Sequence, residues 1–141
     1  MVKDYRFVTD IRILMNENDL IYGDLTRKVI GAIFEVHNNL GSGLLEKHYQ
    51  KALAEEFKQR GVKFVEQYAV NLDYKSISIG KYFLDFLIED KLVLEIKRDT
   101  HFSRDNIDQT LNYLKALNLK LGVLVHFGKD GARFKRIVNI R

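Results

Sequence analysis

The stretch Tyr82–Arg98, YFLDFLIEDKLVLEIKR, decides how this chain folds. Residues on an extended strand point alternately to two faces. Before the polar break, Leu84, Phe86 and Ile88 share one face, and Phe83, Asp85 and Leu87 the other. After it, Leu92, Leu94 and Ile96 share one face, and Val93, Glu95 and Lys97 the other. The break Glu89-Asp90-Lys91 contains no glycine. A three-residue loop centred on Asp90 joins the two runs into a hairpin. That register sets Leu84 against Ile96, Phe86 against Leu94 and Ile88 against Leu92, giving one wholly apolar face. It also sets Asp85 directly opposite Glu95, with Lys97 beside them. A slip of one residue would separate the carboxylates and break the apolar face.

Two facing carboxylates on a largely apolar hairpin repel each other, and burial sharpens the repulsion. Such a pair persists where a cation offsets it. Lys97 is one candidate. A divalent metal, which prefers carboxylate oxygens, is another.

Working outward, Asp24–Asn39 reads as a helix with Asp24 or Thr26 at its cap. Val29, Ile33, Val36 and Leu40 form its stripe, and Gly41-Ser42-Gly43 stops it. His37 is expected to pack at the helix edge and hydrogen-bond the turn, rather than act in catalysis. Leu44–Arg60 reads as a second helix, with Leu45, Tyr49, Ala52, Leu53, Glu56 and Phe57 on its buried side. Glu46 in its first turn complements the helix dipole. Val62–Leu72 reads as a strand, Asp73-Tyr74-Lys75 as a turn, and Ser76–Lys81 as a short strand before the hairpin.

Beyond the hairpin, Asp99–Asn118 opens as a linker and becomes a helix capped by Ser103 or Asp105. Its stripe is Ile107, Leu111, Leu114 and Leu117. Gln109 and Tyr113 stand one turn apart on one face of it. Arg98, His101 and Arg104 make the preceding loop basic, which suits a nucleic-acid backbone and suits a solvated loop almost as well. Leu121–Phe127 has the continuous apolar character of a buried parallel strand. Ala132–Val138 closes the sheet as an edge, with Arg133, Lys135 and Arg136 exposed as a guard against aggregation.

These elements resemble the PD-(D/E)XK nuclease superfamily, and more closely its small GxxExxY protein family. The residues that carry the resemblance are Gly43-Leu44-Leu45-Glu46-Lys47-His48-Tyr49, the preceding run IGAIFEVHNNLGSG, Asp85 followed by Glu95-Ile96-Lys97, and Gln109-Thr110-Leu111-Asn112-Tyr113. The last matches a QxxxY signature. Leu84 stands where the superfamily's name has proline. The resemblance spans about Leu20 to Val138.

It implies an α/β, restriction-endonuclease-like mixed sheet with a central β-hairpin and flanking helices. It further implies Mg²⁺- or Mn²⁺-dependent hydrolysis of phosphodiester bonds. Asp85, Glu95, the Ile96 carbonyl and Glu46 are the implied metal ligands, Glu46 acting directly or through a water. Lys97, whose ordinary pKa of about 10.4 keeps it charged, would stabilise charge and orient water. Gln109 and Tyr113 would support the site. The implied partner is DNA or RNA, and a homodimer is compatible with the pattern.

Composition bounds these readings. A chain of 141 residues suits one domain, with residues 20–141 as the nuclease-like unit. Residues 1–19 mix apolar and charged positions with no clean period, and read as an arm or extension. Zero cysteines exclude disulfides and thiolate metal sites. No apolar run is long enough to span a membrane. The opening MVKDYRFVTD carries charges where a signal peptide would be apolar, so a cytoplasmic protein is expected. A net charge of +4 permits a polyanionic partner.

Two other classes stay open: a nucleic-acid-binding module without turnover, and an interaction protein in which Asp85, Glu95 and Lys97 form a buried ion network.

Overall fold

The computed structural model describes residues 21–140, and the elements below are those of that span. The expected arm, residues 1–19, lies outside the described residues. Three helices and five strands follow one another as α1 Gly23–Leu40, α2 Glu46–Gln59, β1 Phe64–Tyr74, β2 Ile77–Ile88, β3 Leu92–Ile96, α3 Arg104–Leu117, β4 Leu121–Gly128 and β5 Gly131–Val138. The strands form one sheet in the order β1-β2-β3-β4-β5. β3 and β4 are parallel and every other pair is antiparallel. Parallel neighbours need a long crossover, and α3 supplies it. This is the restriction-endonuclease-like mixed sheet expected from the sequence, with the hairpin at its centre.

Both faces of the sheet are covered, which explains why β3 reads as an unbroken apolar run with one acid in it. Under α1 and α2 lie Phe86, Ile88, Leu92, Leu94, Ile96 and Val123, packed on Val29, Ile33, Leu53 and Phe57. Under α3 lie Val70, Leu84, Leu87, Val93 and Leu124, packed on Tyr113 and Leu114. Phe86 is fully buried and meets the rings of Phe57 and Phe64 edge-on, at 5.3 and 5.8 Å between centroids. Burying one such ring contributes about 2–3 kcal/mol.

Some local expectations are corrected. Neither Asp24 nor Thr26 caps α1. The helix starts one residue earlier, from Tyr22 in a left-handed conformation with φ 55° and no side-chain cap. Asp24 sits in the first turn and pairs with Arg27 at 3.1 Å, while Thr26 is buried. Leu40 ends the helix exposed rather than in its stripe. The short strand Ser76–Lys81 and the first hairpin strand are one continuous strand, β2. Gly80 pairs with Leu72 inside it, where a register shift between Leu72 and Asp73 absorbs the irregularity. The turn falls at Lys75-Ser76, both with positive φ. Ser103 caps α3, accepting the Asn106 N–H at 3.0 Å. On β5, Lys135 is exposed but Arg133 and Arg136 are partly buried, and Arg136 donates to the Ile21 carbonyl at 3.2 Å.

The hairpin departs most from its expected form. Its loop is the expected Glu89-Asp90-Lys91, with Glu89 and Asp90 at φ 53° and 59° and the Lys91 N–H donating to the Ile88 carbonyl at 2.9 Å. Phe86 pairs with Leu94 and Ile88 with Leu92, as the alternation predicts. The β2–β3 ladder then stops. Leu84 does not face Ile96: Leu84 lies on the α3 side and Ile96 on the α1–α2 side. The cause is a break in the pleat shared by two strands. The β1–β2 ladder runs from Glu66–Phe86 to Tyr68–Leu84 and skips Gln67–Asp85, where Gln67 takes φ 49°. Phe64 packs with the α1–α2 cluster while Tyr68 packs with the α3 cluster, although their spacing is even. Both strands therefore change faces at the same point, and Asp85 sits on it.

Candidate active site

The break leaves backbone groups of Asp85 and Ile96 without ladder partners, and the two acids supply them. The Asp85 N–H donates to Glu95 Oε2 at 2.9 Å, and the Ile96 N–H donates to Asp85 Oδ2 at 2.7 Å. Each carboxylate thus binds the other strand's backbone, in place of the missing ladder bonds. Buried amides without partners cost about 1–3 kcal/mol each, so the exchange fixes the position of both acids. It brings Asp85 and Glu95 together as the register predicted, by a different geometry.

The remaining oxygens are held less tightly. Asp85 Oδ1 accepts from the Gln67 side chain at 3.4 Å. Glu95 Oε1 accepts from the Tyr82 hydroxyl at 3.1 Å and lies 3.8 Å from Lys97 Nζ. Glu95 is only 3% exposed. Burial first and the Asp85 charge second push its pKa up to about 7. Asp85 is also raised, chiefly by burial, against the pull of the Ile96 N–H. With both acids ionised, the pair carries two negative charges beside the one Lys97 cation.

Lys97 follows directly on β3. Its N–H donates to the Val125 carbonyl at 2.7 Å and its own carbonyl lies 3.1 Å from His126 Nδ1. A carbonyl only accepts, so Nδ1 carries the proton there. The backbone on either side of Lys97 is thereby pinned to β4, and its side chain is largely buried.

Glu46 opens α2 and lines a cleft of about 580 Å³ together with Ile96 and Lys97. Its pKa is raised by burial and then by the Asp85 charge, with Lys97 and Arg98 opposing. It is within electrostatic reach of the pair. It does not join a tight cluster: among the described residues no three His, Cys, Asp or Glu side chains converge. The loop that carries Glu46 is set by Tyr49, whose hydroxyl donates to the Gly41 carbonyl at 2.6 Å and accepts the Leu44 N–H at 3.3 Å. Gly43 takes φ 96° in that loop, where a side chain would be strained. Tyr49 also stacks on Phe127, 4.1 Å between centroids and 3° from parallel. His37 ties α1 to the same region through Nε2, 2.7 Å from the Gly128 carbonyl. It is thus a packing residue, but it bonds the distant β4–β5 turn.

Tyr113 is buried and stacks on Tyr82, 4.3 Å between centroids and 16° from parallel. It reaches the carboxylates through Tyr82. Gln109 is exposed one turn earlier on α3, and the hydrogen bonds that hold the acids come from Tyr82, Gln67 and the backbone instead.

The oxygens gathered here suit a hard divalent ion. They are those of two carboxylates that share the site with one lysine, with no thiolate in the chain.

A family model described as the PD-(D/E)XK nuclease superfamily matches residues 23–137. The chain belongs to that superfamily. The matched span covers every element described above except the last residue of β5. Among solved structures, the crystal structure of SSO0001 is similar at 16% identity and a TM-score of 0.49, over 67% of this chain and 50% of that one. The alkaline exonuclease LHK-Exo from Laribacter hongkongensis is similar at 13% identity and a TM-score of 0.49, over 92% of this chain and 75% of that one. The chain thus spans half the length of SSO0001. No curated protein matches it. No helix among the described residues is long and apolar enough to cross a membrane.

Three residues of this superfamily member were not singled out in the sequence. Tyr82 stands in the sequence only as the first residue of the hairpin stretch. Its signal was weak but present, since a tyrosine on a half-buried strand needs a partner for its hydroxyl. His126 stood as one polar residue in an apolar strand, and the same requirement applies to it. Gln67 carried no local signal at all.

A measurable consequence follows for Tyr82. Replacing it by phenylalanine removes the hydroxyl donated to Glu95 and keeps most of the stack on Tyr113. A hydrogen bond to a charged group is worth about 1.5–3 kcal/mol, and a neutral one about 1. Tyr82→Phe should therefore lower the metal-free melting temperature more at pH 8, where Glu95 is ionised, than at pH 5. An equal loss at both pH values would mean that the hydroxyl does not serve the carboxylate.

Proposed function

We propose that this chain is a metal-dependent nuclease that hydrolyses phosphodiester bonds in a nucleic acid, of the GxxExxY kind within its superfamily. The observation that carries the proposal is the reciprocal Asp85–Glu95 arrangement, with Lys97 Nζ 3.8 Å from Glu95 Oε1. Two like charges at a break in the pleat, Glu95 buried and Asp85 partly buried, are costly without a cation to offset them. Asp85, Glu95 and the Ile96 carbonyl would hold Mg²⁺ or Mn²⁺, and Glu46 would add a contact through a water. When bound, the ion supplies Lewis-acid polarisation of the phosphate and a more acidic water.

The chain's own residues do the rest. Lys97 sets a positive charge beside the reacting phosphate and orients a water. Tyr82 holds Glu95 Oε1 by donating to it, and Tyr113 holds Tyr82 by stacking. Tyr49 and Gly43 shape the loop that presents Glu46. Gln109 stands on the exposed face of α3 as a contact for the substrate backbone.

The test is a cleavage assay on linear and circular, single- and double-stranded DNA and RNA. Cleavage should require added Mg²⁺ or Mn²⁺ and disappear in Asp85→Ala. Cleavage that survives exhaustive chelation would sink the proposal. Silence on every substrate, together with no binding of either ion, would favour the interaction-module reading.

A further inference from the structure

The cleft beside the carboxylates has two characters at once. It lies between the Gly-rich loop before α2, the end of β3 and the β4–β5 turn, and holds about 580 Å³. That size lies within the range of small-molecule sites and is more than one nucleotide fills. Its walls carry four basic side chains, Lys97, Arg98, Lys129 and Arg133, against two acidic ones, Glu46 and Asp130. The loop wall is apolar: Leu44 and Leu45 line the cleft and are 44% and 51% exposed. Leucines open to water in a basic cleft are unexplained by packing. The floor is firm, because Tyr49 and Phe127 are buried there and stacked on each other.

A double helix offers such a cleft only phosphates and sugars. Its base faces are hidden in the stack, so the leucine wall would find no free base face to cover. An unpaired nucleotide offers both a phosphate for the cations and a free base face for the leucines. Ile96 and Lys97 belong to this cleft and to the carboxylate site alike. We propose that the cleft receives one unstacked nucleotide of a single-stranded nucleic acid, immediately beside the bond that Asp85 and Glu95 address. The inference rests on the nuclease reading of that pair and adds to it a choice of substrate: single strands, or the frayed single-stranded end of a duplex.

Fluorescence anisotropy in EDTA tests it without turnover. The probes are a short labelled oligothymidylate paired with nothing, and a labelled strand annealed to its complement. Wild-type protein should bind the single strand about tenfold tighter. Leu44→Ser combined with Leu45→Ser should weaken single-strand binding about five- to tenfold and leave duplex binding where it was. Arg133→Gln should weaken both and flatten the salt dependence. Thermal melts check that the variants fold, and Leu45→Ser alone serves if the double variant does not. A duplex bound as tightly as the single strand would overturn the inference. So would a leucine variant that binds the single strand like wild type. Cleavage assays run in parallel keep the two readings apart. Turnover confined to duplex interiors would end the nucleotide cleft and leave the nuclease intact. No turnover on any substrate, together with no binding of Mg²⁺ or Mn²⁺, would end the nuclease reading, and the oligonucleotide binding data would still decide what the cleft holds.

Discussion

Lys97→Ala should abolish detectable turnover, a loss of about 10²–10³-fold or more, while divalent-ion affinity at pH 8 stays within a few-fold of wild type. The split follows from how Lys97 is held. Its backbone is anchored on both sides to β4, through the Val125 carbonyl and His126. Truncating the side chain therefore leaves the Ile96 carbonyl and the Asp85–Glu95 exchange in place. What disappears is the cation 3.8 Å from Glu95 Oε1. A charged ammonium cannot ligate a metal, so the ligand set survives its removal. The site loses the charge that would meet the phosphate. Measuring at pH 8 matters, because losing Lys97 favours the protonated form of Glu95, and a protonated acid binds metal poorly. Lys97→Arg should restore little, since the planar guanidinium carries its charge in a different shape. Single-turnover kinetics and calorimetric titration with Mg²⁺ check both halves. Equal losses of affinity and turnover would show that Lys97 organises the ligands instead.

Glu95→Gln should make the metal-free protein more stable at pH 8 and inactive. The pKa of Glu95 is raised from its ordinary 4.5 to about 7 by burial and by Asp85. The folded state therefore prefers the protonated acid. The stabilisation from that proton is full below pH 4.5 and is lost as pH rises through about 7. With one pKa unit worth about 1.4 kcal/mol, its ceiling is about 3 kcal/mol. Glutamine resembles the protonated acid. Its carbonyl can accept the Asp85 N–H, and its amide can donate to the Tyr82 oxygen. The variant should thus melt several degrees higher at pH 8, taking about 2–5 °C per kcal/mol for a chain of this size, and nearly level with wild type at pH 4.5. Mg²⁺ should raise the wild type's melting temperature more than the variant's, because binding to the folded state stabilises it by mass action. A buried structural ion network predicts the reverse sign. There Glu95 is the partner of Lys97, and its neutralisation would strand a buried cation at a cost of about 3–5 kcal/mol. A clearly lower melting temperature for Glu95→Gln at pH 8 would count against the metal site.

Much of this was legible in the sequence, for reasons that are local. Strand alternation and a polar break are short-range signals, and they placed Phe86 on Leu94 and Ile88 on Leu92. The apolar run after Leu121 carried the mark of a strand covered on both faces, and it is the parallel neighbour of β3. Gly43, Glu46 and Tyr49 lie within two turns, so helical spacing put Tyr49 on the buried side one turn from Glu46, and the structure shows its hydroxyl holding the loop before the helix. Asp85 and Glu95 were brought together by the hairpin's own turn.

The reversal of the pleat was not legible, because its cause lies on another strand. It needs Gln67, an ordinary residue in a left-handed conformation, to pair past Asp85. Nothing in the run YFLDF announces that its even residues change faces. Tyr82 became a partner of Glu95 through that change, and a partner of Tyr113 only when α3 packed on the sheet. Sequence alone determined the pairing across the hairpin and that Asp85 and Glu95 meet there, since those follow from period, turn length and sterics within a few residues. Tertiary structure alone decided which oxygen each backbone amide takes and which wall opens into the cleft. Those choices depend on satisfying buried polar groups, and the partners that satisfy them come from segments distant in the chain.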